Sequence, residues 1–427
     1  MKPSQGYGYV DQQTGGYIGE NKTYANFESA RPYWLQMPSA IQISAAQRIS
    51  FTGGNYTQLG AGGFGIGNDP NAHASKVGLG ASDVSVTHGY FTQVMGNSIT
   101  AGGIRADAHH PSDPRMVNTR ITIANNIFFN NSALFSSTVP IFASYFQYSN
   151  ISHNDIFVTP YSGLCVGYGW GANDAGGSKE YENRGLYNGI SPRYTTPTTF
   201  RDIVVEGNLI HRFGFSHTDL GGIYTLSKSP SSRITGNYVY DSQYFGLYND
   251  EGSNSFVITN NIFQTRGAWN VVNTNGGIGT AGNLTNTGNW APGAGGANRA
   301  ASSVAQTGTA GMRVAYRAGV EPRFRAGRPV SNDPALKDAN LDIVKTDGQV
   351  SVQLSNFDDG ALEGVVFSVT AASGGSLTPG AAPPTTVPAN GAAAATFRYS
   401  GARPSIQATV KYTNQRTEKT TTLTASG

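Results

Sequence analysis

The chain has 427 residues, enough to bury a large core and to form two domains. Charged residues are only 13%, and the formal net charge of +3 is spread without a Lys/Arg cluster, which argues against nucleic acid or a membrane surface as partner. With 55 Gly, 22 Tyr and 20 Phe the composition is that of a turn-rich all-β chain, and no convincing helical pattern of about eleven residues occurs before Trp290.

From Arg48 onward one phrase returns: an apolar or β-branched pair, one or two Asn or Gly, then a second apolar pair. It reads RISFTGGNYTQL at Arg48, RITIANNIFF at Arg120, SNISHNDIFV at Ser149, DIVVEGNLIH at Asp202, SRITGNYVYD at Ser232 and FVITNNIFQT at Phe256. Counted through Asn126, Asn154, Asn208, Asn237, Asn261 and Asn283, the steps are 28, 54, 29, 24 and 22 residues, within the range of solenoid repeats. The doubled step reads as one skipped rung plus an insertion. Each repeat predicts a short strand, a tight turn whose αL geometry Asn or Gly adopts cheaply, and a second strand. Stacked, such units make a right-handed parallel β-helix, whose long flat faces suit the gripping of polymers.

Cys165 is the only cysteine, so no intrachain disulfide and no CxxC motif is possible. Its GLCV setting reads as a packed core thiol rather than a nucleophile. No secretory apolar segment follows Met1 and no run approaches membrane-spanning length. The MKPSQ start runs directly into YGYV, which equally fits a mature form whose leader has been removed. A secreted or extracellular, monomeric protein without membrane attachment is the expectation.

After Trp290 the text changes to the Gly/Ala/Ser-rich APGAGGANRAASSVAQTGTA, and then to GMRVAYRAGVEPRF, which predicts a short amphipathic helix over Met312–Ala318 stopped by Gly319 and Pro322. Its place after the last rung suggests a lid on the open end of the coil, within a closing segment at about 291–325. Past Asp333, LDIVKT, VSVQLS, GVVFSVT, AAATFRYS and SIQATVKYT alternate apolar and polar residues between FDDG, PGAAPP and SGARP turns. That predicts an immunoglobulin-like β-sandwich. The boundaries are residues 1–325 for the coil and 326–427 for the sandwich, which reads as a spacer or stabilising module.

Three central rungs depart from simple stacking: YSGLCVGYGWGAND (Tyr161–Asp174), followed by a long polar insertion, HTDLGGIYTL (His217–Leu226), and FGLYNDEGSN (Phe245–Asn254). A structural rung has no need of acids beside buried apolar positions, so Asp219, Asp250 and Glu251 mark a candidate site. Paired carboxylates beside aromatic rings suit glycoside hydrolysis, in which one acid protonates the departing oxygen and the other attacks or activates water. Two registers compete. Counted from the turn residues, Asp219 is 11 past Asn208 and Asp250 is 13 past Asn237, nearly level. Counted from GIY and GLY, Asp219 precedes Tyr224 by five and Asp250 follows Tyr248 by two, at opposite ends of a strand. As simpler readings, Asp219 can cap a turn and Asp250-Glu251-Gly252 can be an ordinary β-turn. HHPSDPR, His109–Arg115, is a metal-binding or site-wall segment or a plain polar loop. His153, His211 and His217 show no metal-ligand spacing, and neither a GxSxG elbow nor a Walker loop occurs.

In order and wording, HHPSDPR, NDIFVTPYSGLCVGYGWG, DLGGIYTL and GLYNDEGS resemble the right-handed parallel β-helix glycoside hydrolases, a group that includes α-L-fucosidase and xylan-acting members. The resemblance covers roughly Tyr33 to Phe324, with AYRAGVEPRF similar to the segment that closes the coil. It implies that Asp219 and Asp250 are the catalytic pair, in an unassigned order, with Glu251 as a substitute for the second. Leu220 after Asp219, and Asn249 before Asp250, depart from the family's wording and bear on the subsites. On this reading Tyr224, Tyr248, Tyr168 and Trp170 line subsites for an oligosaccharide or polysaccharide, and His109, His110 and Asp174 form the rim. No cofactor and no metal is implied. Two alternatives stand beside it: a polysaccharide lyase drawing its base from Lys179, Arg184, Arg193 or Lys228, and a non-catalytic glycan-binding adhesion or spike protein.

Overall fold

The computed structural model describes residues 8–9, 17–18, 34–69, 80–273 and 283–427; the MKPSQ start and Tyr33, where the family resemblance opens, lie outside them. Short strands recur in a fixed cycle of three and pair only with the strand one rung above or below, so three parallel sheets wind into a β-helix. The first sheet runs from Ser39–Ile43 through Gly62–Ile66, Ile99–Ala101, Ile141–Ala143, Leu164–Val166, Gly221–Thr225 and Phe245–Asn249 to Asn270–Val272. The second runs from Gln47–Thr52 to Thr285–Thr287 and the third from Asn55–Leu59 to Arg299–Ala300.

The interior is built from columns of like residues. Phe51, Val86, Ile123, Ile151, Val205, Ile234 and Ile258 occupy one register position of the second sheet, and β-branched side chains suit this half-buried pleated surface. In the third sheet Phe91 stacks on Phe128 at 4.8 Å. Between second and third sheets the chain turns in two residues. The first sits at positive φ, as in Asn125 (56°), His153 (53°), Gly207 (63°), Gly236 (64°) and Asn260 (56°), so histidine as well as Asn and Gly fills the αL place.

The second turn residue is the Asn that recurs in the sequence, and here the side chain matters. Asn208 receives both the backbone N–H and the Nδ2 of Asn154 on its Oδ1, each at 3.0 Å. Its own Nδ2 donates to Ile151 O at 2.9 Å and to Asn237 Oδ1 at 2.9 Å. The same pattern links Asn126 to Asn154, Asn237 to Asn261, Asn261 to Asn289 and Asn289 to Asn298. The ladder therefore continues through Asn289, not Asn283. The doubled step is also not a skipped rung: Gln147–Ser152 pairs directly with Arg201–Glu206, and residues 167–200 are one insertion carrying the short helix Lys179–Asn183.

Gly8–Tyr9, Tyr17–Ile18 and Trp34–Leu35 pair as a small antiparallel sheet within the same unit as the coil, and the strands after Arg317 form a separate unit. Seven strands, Ala339–Thr346, Gln349–Asn356, Leu362–Ser373, Ser376–Pro379, Ala392–Ser400, Ser405–Asn414 and Thr420–Ser426, make a four-stranded sheet in the order first, second, fifth, fourth and a three-stranded sheet in the order third, sixth, seventh. That is the strand order of a constant-type immunoglobulin sandwich. Sequence patterning shows five of the seven; the short Ser376–Pro379 and the Thr-rich Thr420–Ser426 lack its alternation. The C-terminal helix spans Gly308–Arg317 and belongs to this unit rather than to the coil. Arg313 donates to Asn356 O at 2.8 Å, Arg317 pairs with Asp359 at 2.9 Å, and the Tyr316 hydroxyl donates to the buried Asp358. The expected lid over the coil is thus a packing element of the sandwich. Residues 304–317 and 321–427 group together, against the boundary at 325 drawn from sequence.

Replacing Asn208 by Ala removes four buried hydrogen bonds and leaves the Asn154 backbone N–H without its acceptor, while Asn154 Nδ2 keeps Ile123 O and Asn237 Oδ1 keeps the backbone N–H of residue 208; each lost bond costs about 0.5–1.5 kcal/mol and an orphaned buried group about 1–3 kcal/mol. Asn208→Ala is expected to lower stability by about 3 kcal/mol or more, read as a fall in the urea midpoint. Asn298→Ala, at the half-buried end of the ladder, is expected to lose much less.

Candidate functional site

The first sheet decides between the two registers. Tyr224 pairs with Tyr248 and Thr225 with Asn249, so the count from GIY and GLY holds. Asp219 stands before the strand Gly221–Thr225 and Asp250 just after Phe245–Asn249. Gln42, Gly65, Thr100, Phe142, Cys165, Tyr224 and Tyr248 share one register column, and it faces outward, away from the column of Phe64, Ile141, Leu164, Ile223 and Leu247 that fills the coil.

Two tyrosines bring the acids into one network, each reaching to the carboxylate carried by the other's rung. The Tyr248 hydroxyl donates to Asp219 Oδ1 at 2.9 Å, and the Tyr224 hydroxyl donates to Asp250 Oδ2. The two rings lie edge to face with centroids 4.9 Å apart. Asn273 Nδ2 donates to Asp250 Oδ1 at 2.8 Å, and the Tyr161 hydroxyl donates to the Asp219 carbonyl at 3.0 Å. Asp219 is exposed whereas Asp250 is 5% exposed. Burial holds the Asp250 carboxyl above the ordinary range; the hydrogen bonds from Tyr224 and Asn273 oppose this and the Asp219 charge adds to it. Burial, followed by the charge of Asp250, likewise raises both tyrosines. The two carboxyl groups thus stand in unlike surroundings, one exposed and one buried, linked through the paired tyrosines.

Tyr224 and Tyr248 are therefore not open platforms for a sugar ring: at 2% and 6% exposed they position the acids. Glu251 lies one residue further on, half-buried, and accepts the hydroxyl of Tyr181 from the insertion helix. Its contact faces the insertion, not Asp219. Cys165, between Phe142 and Tyr224 in the outward column, is fully buried and its thiol is raised well above the usual range by burial, which suits packing rather than nucleophilic attack.

The other site residues read from sequence lie on the 167–200 insertion or against it. Tyr168 and Trp170 are buried, with ring centroids 5.2 Å apart. His110 stacks on Tyr194 at 3.8 Å, and His109 Nδ1 meets His110 Nδ1 at 2.7 Å. His109, Tyr168, Tyr194, Asn173 and Arg105 are among the walls of a cavity of about 130 Å³ that neither Asp219 nor Asp250 lines. Burial drives His109 down to about 3, so it is neutral at physiological pH. Asp174 is no rim residue: it is buried and accepts the backbone N–H of Lys228 at 2.9 Å, and burial pushes its carboxyl up to about 7. Three of the four cations considered as lyase bases are engaged elsewhere, Lys179 and Arg193 by Glu182 and Arg184 by Glu180.

Sequence reasoning missed Asn273, Tyr161 and Tyr181 as site residues. Asn273 was within reach of the correct register, because Tyr248 pairs with Val271 and Asn249 with Val272, which sets Asn273 level with Asp250. Tyr181 sits on an insertion outside the repeat, where no periodicity points.

No protein-family model matches the sequence, and no curated protein matches it. Among solved structures the chain is similar to one described as a glycoside hydrolase, with 21% identity and a TM-score of 0.51 over 74% of this chain and 48% of that one. The chain thus spans about half the length of that protein, and at this identity the likeness is one of fold.

Asp174 supplies a pH test of this arrangement. Its folded-state carboxyl is raised from 3.8 to about 7, so the unfolded chain releases this proton first and stability contributed by the neutral form is lost as pH rises between those values. Thermal midpoints measured from about pH 4 to about pH 7 should fall more steeply for the wild type than for Asp174→Asn, which keeps an acceptor for Lys228 and cannot ionise.

Proposed function

We propose that this protein is a glycoside hydrolase in which Asp250 donates the proton and Asp219 acts as nucleophile or as base toward water. The observation that carries this reading is the pair of tied carboxylates on adjacent rungs, one buried and raised, the other exposed. In the reaction the Asp250 proton passes to the glycosidic oxygen as the C–O bond breaks. Asp219 bonds to the anomeric carbon or takes a proton from the attacking water, and water supplies the hydroxyl that ends on the sugar. Tyr224 and Asn273 hold Asp250 in place, while Tyr248 and Tyr161 fix Asp219. The substrate class we assign is a plant or microbial polysaccharide or its oligosaccharides, met outside the cell by a monomer. The cavity walled by His109, Tyr168 and Tyr194 supplies a second sugar contact. Fold likeness to a glycoside hydrolase supports the reading without fixing sugar or linkage.

Asp219→Asn and Asp250→Asn are each expected to lose about 10²-fold or more in kcat on a susceptible glycoside without loss of folding. Asp250→Asn should retain more activity on aryl glycosides with good leaving groups, and azide should restore turnover to Asp219→Asn if Asp219 is the nucleophile. Retention of more than about a tenth of activity by both variants makes the acids turn residues. Glu251→Gln is expected to lose little.

The pH profile gives an independent check on the roles. A proton donor must be protonated, so activity falls as pH rises through its pKa. The hydrogen bond from Asn273 favours ionised Asp250; Asn273→Ala should therefore move the alkaline limb of kcat/KM to higher pH. A shift to lower pH, or none, argues against Asp250 as the donor.

A further inference from the structure

Phe215 is 59% exposed, although it stands on a segment fastened on both sides. Gly214 N–H donates to Thr159 O at 2.9 Å and Ser216 N–H to Pro160 O at 3.1 Å. His217 Nε2 meets Ser136 Oγ at 2.8 Å, a link to the loop two strands earlier in the first sheet. The Tyr161 hydroxyl holds the Asp219 carbonyl at 3.0 Å and Leu220 is fully buried. A lone exposed aromatic on a mobile loop would mean nothing. A large apolar ring held outward by a braced segment, with its ordering cost already met by the fold, is a preformed contact surface.

Its position says for what. Phe215 precedes Asp219 by four positions, a reach of at most ~14 Å. From His217, two residues after Phe215, a line of rings leads toward the acids: Tyr161 lies edge-on to His217 at 5.8 Å and 6.4 Å from Tyr224, which in turn meets Tyr248 at 4.9 Å. Tyr161, Tyr224 and Tyr248 are buried and His217 is half-buried, so the large ring that this segment exposes is Phe215. A pyranose presents a face of C–H bonds that packs on an aromatic ring. We infer that Phe215 is a stacking subsite for a sugar unit near, but outside, the position where the bond is cut, and that it makes the enzyme prefer longer oligosaccharides. This rests on the glycoside hydrolase reading given above.

The test is a chain-length series of oligosaccharides from the polysaccharide that the intact protein accepts, followed by initial rates and by isothermal titration calorimetry. Phe215→Ala is expected to lower kcat/KM by about tenfold on the longer members, with the loss growing with length, whereas Phe215→Trp keeps the wild-type preference. Tyr148→Ala removes another exposed aromatic, on the second sheet, and should change nothing. If the wild type turns over the series and Phe215→Ala matches it at every length, the subsite is overturned and the hydrolase reading stands. If the wild type binds the series without turnover and Phe215→Ala weakens that binding, the subsite stands and the hydrolase reading falls. Neither binding nor turnover of any sugar polymer by the wild type overturns both.

Discussion

A buried asparagine amide carries two donors and an acceptor oxygen with two lone pairs, and away from water every one must find a partner. In this coil one asparagine satisfies the next. The Oδ1 of each accepts two N–H groups from the rung before, and its Nδ2 spans to that rung's carbonyl and to the following oxygen. The arrangement works only when each rung places its turn at the same height, so it disciplines the whole repeat: two turn residues, αL first and Asn second. Insertions are admitted elsewhere on the rung, as the 167–200 segment is, between a first-sheet strand and a second-sheet strand.

That discipline is what gives the acids their neighbours. Once Tyr224 is in register with Tyr248, Asp250 falls beyond one end of the strand and Asp219 before the other, and only long side chains can bridge the difference. The tyrosines do so diagonally, each bonding the acid of the other's rung. Neither carboxylate is placed by its own strand alone, so the network depends on two rungs being stacked.

The coil was readable from sequence because β-branched pairs flank every Asn turn, and the sandwich because most of its strands alternate. Asn283 was a misreading of spacing alone: Asn289 is the ladder member, and the apolar Trp290 that follows it is the better signal. The helix Gly308–Arg317 was found near its true place, but its partner was not, since amphipathicity states that a face will be covered and not by what. In the site, Asp219, Asp250 and the two tyrosines could be picked out as acids and rings among Gly-rich rungs. Their roles could not, because two registers fitted the text and only pairing separates them. Tyr168, Trp170 and Asp174 share the same unusual wording, yet they belong to the 167–200 insertion, with His109 against it, and not to the paired acids.

Gly252 sits at φ 78°, and a Cβ there would come within 2.6 Å of the Gly171 Cα. Two backbones therefore touch where the chain leaves Asp250 and Glu251 and where the insertion folds over the coil. With no side chain between them to yield, and with Tyr181 bonded to Glu251, the insertion and the acidic turn pack directly against each other. The turn that carries Asp250 and Glu251 is consequently closed in on the side of the insertion.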